Sequence, residues 1–395
     1  MASNSILATA VVVALIVGVV AGYGVASTHV SKVTSVTTLI STTTVTTTTT
    51  SPVTVTVTYA PSPTQPFIVG AAGTLKFAFT DLLNIMKSMY PNLNIGQPYF
   101  KGSGDVAQYE LRTNQLSIMA SADTTTIPSV LFTHNYTDYE IAFGVTQMVI
   151  IVDLNTTAGQ EVYRLWQEAQ SYPPLSAQWN NTWREIFTII ALNSSTVVGV
   201  SNPFTDPSGY QAQCMIKLAG LTFFNNASYL YNAIYGNPSK YFMRNTEVDL
   251  FTLMDAGQIQ FILSAYKSNA IPQTKEYKGT AYITLPFMIN LGNLSYVPYY
   301  HQVNVTWTEV GVTKTFICNP VVYTITIPNN APNPTAALYF LTLLYSPIGQ
   351  KILMENGIQP IVPGIVYGNY SNVPAPLRPF TAPVSQYPQY APIFP

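Results

Sequence analysis

Residues 67–75, FIVGAAGTL, predict the fold of the globular part of this chain. A short apolar strand enters a turn of small residues, and the residues that follow, as far as Met89, have the apolar spacing of a helix. The same order returns in NIGQPYFKGSG and DVAQYELRTNQ, and LSIMASAD supplies a third strand. Repeated strand–turn–helix units predict a parallel sheet whose turns gather at the carboxyl ends of the strands. Open α/β folds bind their ligands at that edge.

A second α/β region follows the first. It begins after an apolar strand, residues 144–152, and continues through TVVGVSNPFTDPSGY, TEVDLFTLMDAG and IQFILSAYKSNA. A second long apolar strand, residues 319–328, precedes a helix near the end of the chain. The pattern predicts two lobes that close on each other like a clamp. The expected boundaries are 67–144 with 328–364 for lobe one, 153–318 for lobe two, 145–152 and 319–327 for two crossing hinge strands, and 365–395 for an irregular Pro- and Tyr-rich tail.

Composition excludes several classes of function. The chain has only 17 acidic residues among 395, a charged fraction of 8% and a net charge of −1. The sequence contains no cluster of Lys and Arg, so neither nucleic acid nor an anionic membrane surface is an expected partner. His134 and His301 lie in polar stretches without a nucleophile motif, and neither G-x-S-x-G nor GK[ST] occurs. We therefore expect neither an enzyme nor a bound cofactor.

The first 66 residues predict export from the cytoplasm. Residues 6–26 form an uncharged apolar run of 21, which is long enough to cross a bilayer. Small residues end the run as a cleavage site would, so segment 1–26 is either a membrane anchor, which we favour, or a removed signal peptide. Residues 27–66 include 22 Ser or Thr, a composition typical of an O-glycosylated stalk. The protein is expected at the extracytoplasmic face of the membrane, either tethered there or secreted.

Sequons and cysteines also bear on the compartment. Two cysteines, Cys214 and Cys318, would form one disulfide in an oxidising compartment, or would be two small buried apolar residues. Eight N-glycosylation sequons beyond the stalk suit a surface glycoprotein. They lie at Asn135, Asn155, Asn180, Asn193, Asn226, Asn293, Asn304 and Asn369.

Two acidic residues stand at predicted helix starts. Asp206 precedes Pro207 in SNPFTDPSGY, and Glu247 follows Thr246 in RNTEVDL. Taken alone, each is most simply a helix cap or a first-turn charge favoured by the helix dipole. Helix starts also expose N–H groups that bind anions, and a carboxylate built into such a site would repel an ordinary anion. Oxyanions of molybdenum and tungsten are an exception, because the central atom accepts further oxygen ligands.

Four turns are expected to meet around such a ligand. Lobe one contributes the turns at Gly73–Thr74 and Ser103, and lobe two contributes those at Asp206–Ser208 and Thr246–Glu247. Tyr266 adds a phenol from the end of a strand. Backbone N–H groups and hydroxyls would bind the oxyanion without Lys or Arg. Singly, the hydroxyl residues also suit ordinary turns, and the tyrosine suits an ordinary core position.

At these residues the chain resembles the archaeal tungstate/molybdate-binding proteins of ABC transporters, which are two-lobed class II solute-binding proteins. The agreement runs from about Phe67 to Pro363. It includes, in order, AAGTL, GSGDVA, ASADTTTIP, TQMVI, SNPFTDPSGY, EVDL, YKSNA, YTITIPNNAPNP and GQKILMENGIQPIVP. The resemblance implies an α/β clamp like the type II periplasmic binding proteins. In such a clamp each lobe is a mainly parallel sheet flanked by helices, and two crossing strands form the hinge.

The same resemblance implies which residues bind. Thr74 stands where the family usually has Ser in its first oxyanion turn, and Ser103 matches the second turn. Asp206 and Glu247 match the two carboxylates that coordinate the metal, and Tyr266 matches a tyrosine that contacts the ligand. Ser208 replaces a usual Cys, and one extra residue separates Glu247 from Tyr266. The whole implied oxyanion site is Gly73, Thr74, Ser103, Asp206, Pro207, Ser208, Glu247 and Tyr266.

The implied function is capture of tungstate or molybdate and its delivery to the permease subunits of an ABC transporter. Two alternatives stay open from the residues themselves. One is a receptor for another small oxyanion, such as sulfate or phosphate. The other is a surface glycoprotein that has this fold but takes no part in transport.

Overall fold

A computed structural model describes residues 62–395 of the chain. The predicted membrane segment, 1–26, and stalk residues 27–61 lie outside this part, so both stay predictions. None of the helices between residues 62 and 395 is both long and apolar enough for a bilayer crossing. The described residues belong to one compact unit.

The described residues contain fourteen strands in three sheets. Seven strands make the first sheet, five make the second, and β10 and β11 below pair only with each other. In chain order the strands are β1 (Val69–Ala72), β2 (Tyr99–Lys101), β3 (Ile118–Ser121), β4 (Tyr139–Thr146), β5 (Met148–Asp153), β6 (Val198–Ser201), β7 (Tyr241–Arg244), β8 (Phe261–Tyr266), β9 (Thr280–Thr284), β10 (Asn304–Glu309), β11 (Val312–Ile317), β12 (Val321–Thr326), β13 (Gln359–Gly368) and β14 (Thr381–Pro383).

Eleven α-helices flank these sheets in the same part of the chain. The first buries Phe79, Leu82, Leu83 and Met86, whose spacing of three and four residues puts them on one face. In chain order the helices are α1 (Lys76–Met89), α2 (Ser103–Thr113), α3 (Thr157–Ala169), α4 (Ala177–Phe187), α5 (Pro207–Phe224), α6 (Ala227–Tyr235), α7 (Leu250–Asp255), α8 (Lys267–Glu276), α9 (Val297–Tyr300), α10 (Pro334–Tyr345) and α11 (Pro347–Glu355).

The first sheet, with helices α1, α2, α10 and α11, makes lobe one. Its strand order is β14-β13-β4-β12-β3-β1-β2. The predicted parallel pairing of the first three strands is confirmed, since β1 lies parallel to both β2 and β3. Strands β12, β4 and β13 come from more distant segments and pair in antiparallel fashion. The sheet is therefore mixed, with its parallel block at the edge that carries the first two predicted turns.

The second sheet, with helices α3 to α8, makes lobe two. Its strand order is β7-β6-β8-β5-β9. The three strands β7, β6 and β8 are parallel, and β5 pairs in antiparallel fashion with both β8 and β9, so it alone runs against the other four. Every residue of β6 and β8 is buried, as expected for strands covered by helices on both faces. The parallel block again places the predicted turns, here before α5 and after β7, at one edge.

The chain passes between the sheets at Gln147. Strand β4 belongs to the first sheet and β5 to the second, so the predicted hinge strand 145–152 is divided between them. The other predicted hinge strand, 319–327, contains β12, which pairs only with strands of the first sheet. The carbonyls of Asn290 and Leu291 accept the N–H groups of Met148 and Val321, each at 2.7 Å, and so join the two strands near the crossing. The exact hinge boundaries stay a prediction.

The tail is more regular than its Pro- and Tyr-rich sequence predicts. Strand β13 extends to Gly368, and the tail adds β14, which lies parallel to β13. Near the end of the chain, Ile393 and Phe394 are buried against Val322 and Ile365. Local sequence hid this structure, because prolines suppress regular patterns while apolar packing against the sheet still orders the segment.

The two cysteines form a disulfide. Cys214, on α5, is bonded to Cys318, just after β11, and their Cα atoms are 5.6 Å apart. The bond closes a loop with a sequence separation of 104 residues. It attaches the β10–β11 hairpin to the helix that begins at the Asp206 turn.

Candidate oxyanion-binding site

Asp206 caps helix α5, and it does more than cap. Its backbone is extended, its Oδ1 accepts the N–H of Ser208 at 3.0 Å, and Pro207 occupies the first helical position. Its other oxygen, Oδ2, accepts the N–H of Glu247 at 2.9 Å. The residue is only 3% exposed. The simple capping interpretation is therefore correct for one oxygen, while the other ties together two turns that are far apart in sequence.

Glu247 opens a short 3₁₀ turn before α7 and is 1% exposed. Its Oε1 has no hydrogen-bond partner among the described residues. Burial raises the pKa of the Glu247 carboxyl well above its usual range, and the neighbouring Asp206 carboxylate raises it further. A buried carboxyl oxygen without a donor costs free energy, so this position suits an electron-poor partner.

The first turn of lobe one packs directly against Glu247. A Cβ atom built on Gly73 would lie 2.7 Å from Glu247 Oε1, so only glycine allows this approach. The next residue, Thr74, is buried, and its hydroxyl also finds no hydrogen-bond partner in the described part. The structure thus places an unpartnered hydroxyl and an unpartnered carboxyl oxygen in two turns that touch.

The second turn of lobe one touches the Asp206 turn. Gly104 donates its N–H to the carbonyl of Thr205 at 3.2 Å, and a Cβ on Gly102 would lie 2.0 Å from the same oxygen. Between them, Ser103 is fully buried and its hydroxyl oxygen accepts the N–H of Ala122 at 3.0 Å. This bond does not use the hydroxyl hydrogen, which remains able to be donated to a ligand.

Ser208 and Tyr266 are both fully buried but are already bonded within lobe two. The Ser208 hydroxyl lies 2.7 Å from the hydroxyl of Ser201. The Tyr266 hydroxyl donates to Oε1 of Gln211 on α5. Burial, with the charge of Asp206 as the next cause, raises the pKa of the Tyr266 phenol well above its usual range. Tyr266 therefore stays a hydrogen-bond donor whose proton is directed at Gln211.

A cleft of about 560 Å³ borders part of this cluster. Asp206, Pro207 and Gln211 line it from lobe two, and the segment Asp123–Thr126 lines it from lobe one. The hairpin residues 314–317 and the end of the tail complete its walls. Of the two carboxylates, Asp206 lines this cleft, and Glu247 is not among its lining residues.

Residues 67–359 match the family model of the bacterial extracellular solute-binding proteins. The chain belongs to this family. A molybdate/tungstate-binding protein, WtpA, of Thermococcus kodakarensis is 30% identical over 325 residues, covering 76% of this chain and 84% of its own. WtpA of Pyrococcus abyssi is 29% identical over 328 residues, covering 78% and 88%. The resemblance stated from the sequence is confirmed.

The sulfate-binding protein SubI of Mycobacterium tuberculosis has the same fold. It superposes with a TM-score of 0.50 at 10% identity, covering 83% of this chain and 98% of its own. The predicted two-lobed α/β architecture is confirmed, although both sheets include antiparallel strands. Membership of a solute-binding family agrees with the prediction that the chain is not an enzyme.

Sequence reasoning missed several residues around the site of this solute-binding protein. Gln211 receives the Tyr266 hydroxyl, and the buried hydroxyl of Thr246, next to Glu247, has no partner among the described residues. Asp123 and Tyr210 join the lobes beside the cleft. One signal was available, because Gln211 follows Asp206 by five residues and so lies within the first turns of the same helix.

The two carboxylates do not form a ready-made cation site. No group of three or more His, Cys, Asp or Glu side chains that could hold a metal ion occurs between residues 62 and 395. A free divalent cation usually needs more protein ligands than Asp206 and Glu247 supply.

Proposed function

We propose that this solute-binding protein captures tungstate or molybdate between its lobes and delivers it to an ABC permease. The observation that carries the proposal is the buried pair Asp206 and Glu247, which lies against the Gly73–Thr74 turn of the other lobe. Two relatives that bear the name of molybdate/tungstate-binding proteins support the same ligand class.

The carboxylates decide which oxyanion is accepted. A tetrahedral dianion that gains one oxygen from Asp206 and one from Glu247 becomes six-coordinate at its metal atom. Sulfur and phosphorus do not add ligands in this way, so sulfate and phosphate would meet only repulsion from the same two groups. The unpartnered Glu247 Oε1 supports this role, because coordination would supply the electron-poor partner that the oxygen lacks.

Lobe one would hold the oxygen atoms of the ligand. The Thr74 hydroxyl is buried at the turn that packs against Glu247, and Ser103 has an unused hydroxyl hydrogen at the start of α2. Backbone N–H groups at Gly73 and at the start of α2 add donors of the kind that bind anions at helix starts. Binding would then favour the closed arrangement of the lobes, which the permease would recognise.

The proposed location is the extracytoplasmic face of the membrane. The apolar segment 1–26 would act as an anchor and residues 27–66 as a stalk that lets the clamp reach the permease. The disulfide Cys214–Cys318 and the accessibility of all eight sequon asparagines, none of which is buried, support an oxidising exterior.

Calorimetric titration with tungstate, molybdate, sulfate and phosphate tests the ligand. We expect tight binding of the first two and no measurable binding of the others at equal concentration. Thermal denaturation provides a second measure, because a ligand at 100 times its dissociation constant adds about 2.7 kcal/mol to the free energy of unfolding. Tight sulfate binding would overturn the coordination mechanism. Binding of none of the four would favour the non-transport glycoprotein.

X-ray absorption spectroscopy of the loaded protein tests the chemistry directly. We expect a tungsten or molybdenum centre with six oxygen neighbours. A spectrum of an unchanged tetrahedral oxyanion would remove Asp206 and Glu247 from the coordination shell.

A further inference from the structure

A hydrogen bond joins the lobes at the cleft, beside the predicted site. The hydroxyl of Tyr210 donates to Oδ2 of Asp123 at 3.0 Å. Asp123 follows β3 of lobe one, whereas Tyr210 lies in the first turns of α5 in lobe two. Both residues are 5% exposed. The contact is therefore a buried polar bond between two bodies that must separate for ligand exchange.

The lobe-one partner is held in place before it meets Tyr210. Oδ1 of Asp123 accepts the hydroxyl of Ser121 at 2.8 Å and the N–H of Thr126 at 3.0 Å, and Oδ2 accepts the hydroxyl of Thr125 at 3.0 Å. These local bonds do not depend on lobe two. They keep the carboxylate in one orientation, so little side-chain freedom is lost when the lobes meet.

The lobe-two partner is held equally well. The ring of Tyr210 stacks on Phe316 of β11, with centroids 4.4 Å apart and planes 4° from parallel. The nearby disulfide fastens this end of the hairpin to α5. Burial raises the pKa of the Tyr210 phenol well above its usual range, and Asp123 raises it further, so the hydroxyl keeps its proton. A phenol that donates to a carboxylate makes a charge-assisted hydrogen bond.

Tyr210 also shares a helix with the ligand residue. It follows Asp206 by four residues, about one helical turn, so the two move together. We propose that the Tyr210–Asp123 hydrogen bond is a latch that keeps the clamp closed and slows release of the bound oxyanion. The effect on oxyanion release rests on the proposed function, whereas the bond itself would hold the lobes together with or without a ligand. Tyr210 acts as a positioning residue and does not contact the oxyanion.

Tyr210→Phe is the decisive variant, because it removes the hydroxyl and keeps the ring that stacks on Phe316. Tyr231→Phe is the matched control. The Tyr231 hydroxyl donates at 3.3 Å to Gln213, which lies on α5 like Tyr210, and this bond stays within lobe two. Stopped-flow measurements would follow tungstate association and its release into excess molybdate. We expect Tyr210→Phe to release tungstate roughly 10- to 100-fold faster, as the loss of a hydrogen bond to a charged group implies, with the association rate nearly unchanged. The control should match the wild type.

Two results would overturn the latch. One is a release rate in Tyr210→Phe that equals that of the wild type. The other is a decrease in the association rate alone, which would indicate that Tyr210 contacts the ligand directly. If the wild type binds neither tungstate nor molybdate, the proposed function fails separately. Small-angle scattering of the ligand-free proteins then still tests the latch, because Tyr210→Phe should have a larger radius of gyration than the wild type and Tyr231→Phe. Equal radii would reject it.

Discussion

Asp206 Oδ2 accepts the backbone N–H of Glu247 at 2.9 Å, across 41 residues of sequence. This bond joins the start of α5 to the turn before α7, and it brings two carboxyl groups together in a buried place. One residue caps a helix and at the same time positions the other. The two acidic residues therefore form a unit, and the substitutions that test them have different expected effects.

Glu247→Gln should abolish tight tungstate binding and leave the fold intact. We expect affinity to fall roughly 100-fold or more, because even residues that only support a metal ligand contribute about 10- to 100-fold. The free energy of unfolding of the ligand-free protein should change by less than about 1 kcal/mol, since glutamine keeps the shape of a buried carboxyl group whose Oε1 makes no hydrogen bond. Calorimetry and urea denaturation measure the two quantities.

Glu140→Gln is the control for that substitution. Glu140 is also fully buried, but it lies in the sheet of lobe one and outside the predicted site. The Glu140→Gln variant should bind tungstate as tightly as the wild type does. Unchanged affinity in Glu247→Gln would remove Glu247 from the site.

Asp206→Asn should lose both affinity and stability. Asparagine caps a helix nearly as well as aspartate, but the N–H groups of Ser208 and Glu247 face different oxygens of Asp206, and in asparagine one of these two positions is an NH2 group, which cannot accept. One buried donor is left unpaired, which costs about 1–3 kcal/mol in the free energy of unfolding. Chemical denaturation of the ligand-free variant gives this value. A variant as stable as the wild type would show that the bond to Glu247 contributes little.

Gly102→Ala should prevent full closure. Its Cβ would lie 2.0 Å from the Thr205 carbonyl of the opposite lobe, and such overpacking costs about 1–3 kcal/mol. We expect tungstate affinity to fall roughly 10-fold or more, whereas the melting temperature of the ligand-free protein should fall only slightly, because its lobes can move apart and relieve the clash. In Gly96→Ala the added Cβ would meet only Ile68 and Phe67 of the same lobe, so this variant should keep its affinity. Equal loss in both variants would contradict closure at this contact.

Reduction of the disulfide should lower stability strongly. The bond between Cys214 and Cys318 spans 104 residues, and a cross-link of this kind typically contributes about 2–4 kcal/mol. The Cys214→Ala/Cys318→Ala double variant should match the reduced wild type in calorimetric melting. A melting temperature that does not respond to a reductant would show that the bond is not formed in solution.

Stability should also fall as pH rises because of Glu140. Its carboxyl group is fully buried, and burial raises its pKa well above the usual value of 4.5, although a hydrogen bond with the Thr324 side chain lowers it. Between the unfolded pKa of about 4.5 and the raised folded pKa, the folded state binds more protons than the unfolded state. The stabilisation due to protonated Glu140 is therefore complete below about pH 4.5 and is lost as pH rises through the folded pKa.

Urea denaturation at several pH values between 4.5 and 8 measures this effect. The free energy of unfolding of the wild type should fall by up to about 1.4 kcal/mol per pH unit relative to that of Glu140→Gln, which has no titrating group at this position. A constant difference between the two proteins would show that Glu140 does not titrate in this range.

Local signals carried much of the fold. The small-residue turn after β1, the glycines before α2 and the Asp206–Pro207 cap all act through the sterics and hydrogen bonds of a few neighbouring residues. Because such signals act between residues that are close in the sequence, the sequence predicted the strand–turn–helix units and the parallel order of β1, β2 and β3. The eight candidate site residues were chosen from the same local features together with the family resemblance.

Contacts between distant segments needed the tertiary structure. Nothing near Glu247 in the sequence shows that its N–H binds Asp206, that Gly73 packs on its carboxyl group, or that Tyr210 meets Asp123. The same holds for β12, which enters the first sheet between β3 and β4, and for the tail that forms β14.

The physical reason is the range of the forces involved. Capping and turn preferences are properties of short peptides, so the chain itself determined where helices and strands begin and that carboxylates stand at two of those starts. Which helix starts meet depends on how apolar sheet faces are buried against helices across the whole domain, and that burial is not directional. Only the folded arrangement decided that Asp206 and Glu247 share one buried place, with lobe-one hydroxyls beside it.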